Sequence, residues 1–92
     1  MVDISNDAAG LIRSLVSDSD LPESAGLRLG TDDATHALAM KLEAEPQQDD
    51  VVVEHEGAAL YVSARAAARL EDQTLHAQLE PRAAFFVDRS PG

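Results

Sequence analysis

Apolar residues change their spacing several times along this chain, and each change marks an element boundary. Val2 and Ile4 alternate with polar neighbours, which predicts a short strand over Met1 to Ile4. Ser5 stands where a helix N-cap oxygen is wanted, and Asp7 suits the positive end of the helix that follows. Ala8, Leu11, Ile12, Leu15 and Val16 then recur at helical spacing and form one apolar stripe. The run "SDSDLPES" ends that helix in a loop punctuated by Pro22.

Beyond this loop the period of two returns. Gly26 to Gly30 predicts a strand with Leu27 and Leu29 on one face, and "TDDA" a turn. From Thr35 to Glu43 the chain alternates again, with His36, Leu38, Met40 and Leu42 on one face. Thr35, Ala37, Ala39, Lys41 and Glu43 take the other. "AEPQQDD" is a polar loop around Pro46, Val51 to Glu54 a β-branched strand, and "EHEGA" a tight turn using Gly57. Leu60 and Val62 continue the returning strand, and Ser63 caps a short alanine-rich helix from Ala64 to Leu70. "EDQ" ends it. Thr74 to Leu79 and Ala83 to Val87 predict two last strands around a Pro81-Arg82 turn, followed by a frayed tail "DRSPG". The order β-α-β-β-β-β-α-β-β describes a small α+β fold: one domain over 1–92, made of short mixed sheets with two helices, the first covering one sheet.

Composition narrows the function classes. A chain of 92 residues makes one domain, and its hydrophobic fraction of 45% suffices for one core. Much of that fraction is alanine, and the aromatics are only Tyr61, Phe85 and Phe86, so the core falls to Leu, Val, Ile and Met. A homo-oligomer interface would add buried surface to so small a core. Seventeen acids against seven bases give a formal charge of −10, which repels nucleic-acid phosphates and anionic membranes alike. The acidic surface reads as a solvated one, or as a docking face for a basic partner. With one Lys among the seven bases and abundant Ala, the composition suggests a high-GC or a salt-adapted source. The start "MVDISNDAAG" lacks a signal peptide's basic and apolar regions, and no stretch approaches the roughly 18 apolar residues of a membrane helix. The expected location is cytoplasmic. With no cysteine, disulfides, thiolate metal sites and thiol catalysis are excluded within these residues.

Several segments, in this order, resemble the A-type iron–sulfur carrier family, the HesB-like or IscA-like fold. "VDISNDAAGLIRSLV" looks like that family's opening strand, helix cap and first helix. "GLRLG" is similar to its G-x-R-hydrophobic strand. "MKLEAEPQQDDVVVEHEGAALYVS" resembles its strand, acidic-proline loop and central hairpin, and "AARLEDQTL" its short helix, turn and next strand. "FFV" followed by Pro91 is a faint echo of its terminal segment. The resemblance implies a protein that holds an iron–sulfur cluster or iron and passes it on, using three cysteines. The first would fall near Thr35 or His36, and the other two have no counterpart in a sequence that ends at "DRSPG". Clusters are held mainly by thiolates, so no ligand role transfers to any residue here and no cysteine-ligated cluster is expected on the isolated chain.

The remaining chemistry is sparse. His36 has two readings. It binds a divalent metal with Asp32 or Asp33 as carboxylate neighbours, or it starts the next strand and points at the sheet's apolar face. The second is favoured, because one histidine with loop acids falls short of a closed site. His55 lies between Glu54 and Glu56, which point away from it in a strand, and His76 reads as an exposed strand residue. Asp32-Asp33 and Asp49-Asp50 read as turn formers and solvated charge. Arg65 and Arg69, four apart on the second helix, share one face that would suit an acidic partner or simply solvent. No serine elbow or phosphate loop is present. The expectation is a non-enzymatic member of the iron–sulfur pathway, acting through protein partners and without a cofactor. Its rivals are a divalent-metal protein using His36, Asp32 and Asp33, and an adaptor module unrelated to clusters.

Overall fold

The computed structural model describes residues 2–89. Met1 as the start of the first strand, and the tail over 90–92 with Pro91, lie outside the described residues. The elements follow the expected order: β1 (Asp3–Ile4), α1 (Asn6–Ser17), β2 (Gly26–Thr31), β3 (Leu38–Glu43), β4 (Val51–His55), β5 (Ala58–Val62), α2 (Ala64–Arg69), β6 (Gln73–Gln78) and β7 (Ala84–Arg89).

The helix starts are those the side chains dictate. Ser5 and Ser63 are both extended, and the Oγ of each accepts an N–H three residues on, from Ala8 and Ala66, at 3.1 Å. Helix α1 buries Ala8, Ala9, Leu11, Ile12 and Val16, which is the apolar stripe of the sequence. The two-residue turn between β4 and β5 is Glu56–Gly57, with both φ values positive (51° and 79°) and His55 paired to Ala58. That is the handedness a tight hairpin needs.

The strands form two mixed sheets. One has the order β1-β6-β7, with β1 parallel and β7 antiparallel to β6. The other has the order β3-β2-β5-β4, with β2 and β5 parallel at its centre and antiparallel strands at both edges. Helix α1 packs on β6 and also on β5 and β2, so it bridges both sheets rather than covering one. Ile12, Leu29, Leu60, Val62, Leu70 and Leu75 fill the space between them and are fully buried.

Four expectations are corrected. Strand β3 begins at Leu38, not Thr35, because Asp32 bends residues 32–37 into a turn that the alternating letters disguise. Met40 is no core residue: β3 is an edge strand, and this side chain is 45% exposed. Asp88 and Arg89 are not frayed but pair with Thr74 and Gln73 at the end of β7. His76 is half-buried, with its ring stacked on Phe86 at 5.2 Å between centroids.

Candidate functional site

The turn between β2 and β3 is where the sequence concentrates its candidate chemistry, and the backbone there closes on itself. The Asp32 N–H donates to the Ala37 carbonyl at 2.8 Å, and the His36 N–H donates to the Asp32 carbonyl at 2.7 Å. The Asp32 Oδ1 accepts the N–H groups of Ala34 at 2.8 Å and Thr35 at 3.0 Å. The Thr35 N–H and then the Ala34 N–H hold the Asp32 carboxyl below its usual range, because both bond the ionised form. Ala37 donates to the Thr35 hydroxyl at 3.3 Å. His36 takes a left-handed φ of 61° and is exposed, so its side chain neither begins a strand nor joins the apolar face with Leu38.

Helix α2 braces this turn. The Ser63 N–H donates to the Leu29 carbonyl at 2.9 Å, which seats the start of α2 on the end of β2. From there two arginines one helical turn apart reach the same loop. An Arg69 NH group donates to the His36 carbonyl. The Arg65 guanidinium approaches Asp33 at 3.6 Å, and both side chains are largely exposed. Sequence reasoning paired the two arginines on one face but left their target open; that target is the turn.

His36, Asp32 and Asp33 therefore share a turn, in which both carboxylates and the His36 carbonyl, though not the His36 ring, have other engagements. Asp32 serves the backbone, Asp33 faces a guanidinium, and the His36 carbonyl is held by Arg69. Among the described residues no three His, Asp or Glu side chains gather in a group that would hold a metal ion. An iron–sulfur cluster needs thiolates, and the 92 residues contain none. The donor set of the turn does not fit such a cluster.

The opposite end of β2 carries a different feature. An open cleft of about 400 Å³ is lined by Glu23, Ser24, Glu54, His55 and Glu56 around the β4–β5 turn. His55 is turned toward α1, with its Nε2 2.5 Å from the Asn6 Oδ1, and Arg13 donates to the Glu56 carbonyl. These contacts tie the hairpin tip to α1 and explain His55 structurally. Beside the cleft the Tyr61 hydroxyl donates to the Ser24 carbonyl at 2.8 Å. Burial, and then the charges of Glu54 and Glu45, push that phenol above its usual range.

Sequence reasoning also missed the Arg28–Asp50 pair. Arg28 lies on the outer face of the four-stranded sheet, where its guanidinium covers Gly30 and grips Asp50 in a two-pronged contact. A lone arginine inside "GLRLG" was the available signal, since a charged residue in a central strand requires a partner.

The fold invites comparison with solved structures. It is similar to Escherichia coli SufA, involved in biosynthesis of iron–sulfur clusters, over 96% of this chain and 84% of that one, with a TM-score of 0.79 and 26% identity. It is also similar to IscA, solved with its [2Fe–2S] cluster, over 97% of this chain and 85% of that one, with a TM-score of 0.74 and 20% identity. No family model and no curated protein matches the sequence. Both likenesses span nearly the whole chain. The chain is a small α+β domain with the HesB-like fold of the A-type iron–sulfur carriers, and its 92 residues include no cysteine.

Proposed function

We propose that this protein serves iron–sulfur cluster assembly as a non-enzymatic partner of other proteins, and that the isolated chain does not carry the cluster itself. The observation that supports this most is the β2–β3 turn. The chain matches 84% of the length of a solved carrier, yet this turn contains no thiol and is closed by backbone hydrogen bonds and two arginines of α2. A scaffold of this kind offers surfaces rather than ligands.

Two measurements test the reading. Anaerobic reconstitution with iron and sulfide on the isolated chain is expected to give no stoichiometric cluster. Affinity capture from the protein's own cells is expected to recover cluster-assembly proteins. A cluster bound at one per chain would overturn the first half of the proposal. Capture without any assembly protein would favour an adaptor unrelated to clusters.

A further inference from the structure

The four-stranded sheet ends on one side in β3, whose six residues pair in full register with β2 and have no strand beyond them among the described residues. The strand's two faces differ. Leu38, Met40 and Leu42 face the same side as Leu27 and Leu29, toward the core. Leu38 and Leu42 are only half-buried and Met40 is 45% exposed, so the apolar row along β3 is only partly covered by the described residues. Ala39, Lys41 and Glu43 face the other way, and the lone lysine is neutralised by Glu43 at 2.9 Å. Glu43 closes the strand and Glu45 follows it, while Asp32 and Asp33 lie in the turn before it, Asp33 beside Arg65.

We infer that the β3 edge is a docking site for an extended segment of a basic partner protein, added as a fifth strand. A segment that alternates apolar and basic residues matches both faces at once. Its apolar side chains extend the Leu38–Met40–Leu42 row, and its basic ones compete with Lys41 for Glu43 and meet Glu45 on a chain of formal charge −10. Backbone hydrogen bonds along the open edge supply the common register. Charge argues against a second copy of this chain. A two-fold antiparallel β3–β3 contact would bring together two chains of formal charge −10. The turn braced by Arg65 and Arg69 holds one end of the strand in place before any partner arrives.

The inference rests on the reading that the chain acts through protein contacts, but its test is separate. Hydrogen exchange of the intact protein is followed with a synthetic peptide of alternating lysine and valine, and with a glutamate–valine peptide as control. The lysine peptide is expected to slow exchange at residues 38–43 and to lose that effect as salt is raised. Met40→Asp, at an exposed position, is expected to abolish the slowing while thermal unfolding stays near that of the parent. Lys41→Glu is expected to tighten peptide binding about threefold, the scale of one exposed charge pair. Three results would each overturn the inference: unchanged exchange at 38–43 at saturating peptide, equal slowing by the glutamate peptide, or slowing that grows with protein concentration alone. The last would make a second copy the occupant. Failure here leaves the capture experiment intact, and failure there leaves the edge result intact.

Discussion

Arg28 and Asp50 meet in a two-pronged ion pair, Nε to Oδ2 and NH2 to Oδ1 both at 3.1 Å, on the outer face of the four-stranded sheet. The pair joins the central strand β2 to the loop that leads into the edge strand β4. The Asp50 side chain is 2% exposed and also accepts the Gln47 N–H at 2.9 Å. Burial pushes its carboxyl up, but the Arg28 hydrogen bond, the Gln47 N–H and the Arg28 charge outweigh that and hold it below the usual range.

Asp50→Ala leaves a partly buried guanidinium and a backbone N–H without their acceptor, and is expected to cost about 2–3 kcal/mol in urea unfolding. Arg28→Lys keeps the charge but loses the fork, and is expected to cost about 1 kcal/mol. Because the folded carboxyl titrates below the unfolded value of about 3.9, the pair's contribution is complete above about pH 4 and is lost as pH falls through the folded value. The stability gap between the parent and Asp50→Asn should therefore narrow on acidification below about pH 4. A gap unchanged at low pH would show that the carboxylate charge is not what stabilises.

Gly26, the first residue of β2, sits against Ala59 of β5. A Cβ there would lie 2.5 Å from the Ala59 carbonyl oxygen and 2.9 Å from the Ala59 Cβ. Backbone atoms cannot yield as a flexible side chain does, so Gly26→Ala is expected to destabilise by about 2–3 kcal/mol. A loss under about 0.5 kcal/mol would mean that the two strands separate freely at that point.

Glu56 holds a left-handed φ of 51° at the first position of the hairpin turn, a conformation that favours asparagine or glycine. Its carbonyl, not its side chain, is what Arg13 uses. Glu56→Asn is expected to stabilise the protein by about 0.5–1 kcal/mol, read as a rise in the thermal midpoint. A fall would assign the carboxylate a contact of its own.

The two arginines of α2 should differ. Arg65 reaches a carboxylate that is 94% exposed, so Arg65→Ala is expected to change stability by under about 0.5 kcal/mol. Arg69 donates to a carbonyl of the closed turn, so Arg69→Ala is expected to cost about 1 kcal/mol and to speed hydrogen exchange at residues 32–37. Equal effects would contradict this division.

Zinc or ferrous iron is expected to leave the thermal midpoints of the parent and of His36→Ala equally unmoved, since Asp32 is committed to two backbone N–H groups. A midpoint that rises with metal in the parent alone would establish a site on His36.

The sequence by itself determined the element order, both helix caps, the hairpin turn and most of the core, because each rests on local rules of period, capping and handedness. It also ruled out thiolate chemistry in these residues through composition alone. Only the tertiary structure decided the rest. The alternation from Thr35 to Glu43 suits a strand at every position, and what ends it at Leu38 is the Asp32 carboxylate capturing two N–H groups. Arg28 and Asp50 are 22 residues apart, and Arg69 and His36 are 33 apart, so neither contact leaves a local signal. Met40 looked like a core residue because period reports which face a side chain takes, whereas exposure depends on whether another layer covers that face. In this fold β3 is the last strand of its sheet, and that position leaves Met40 in the open.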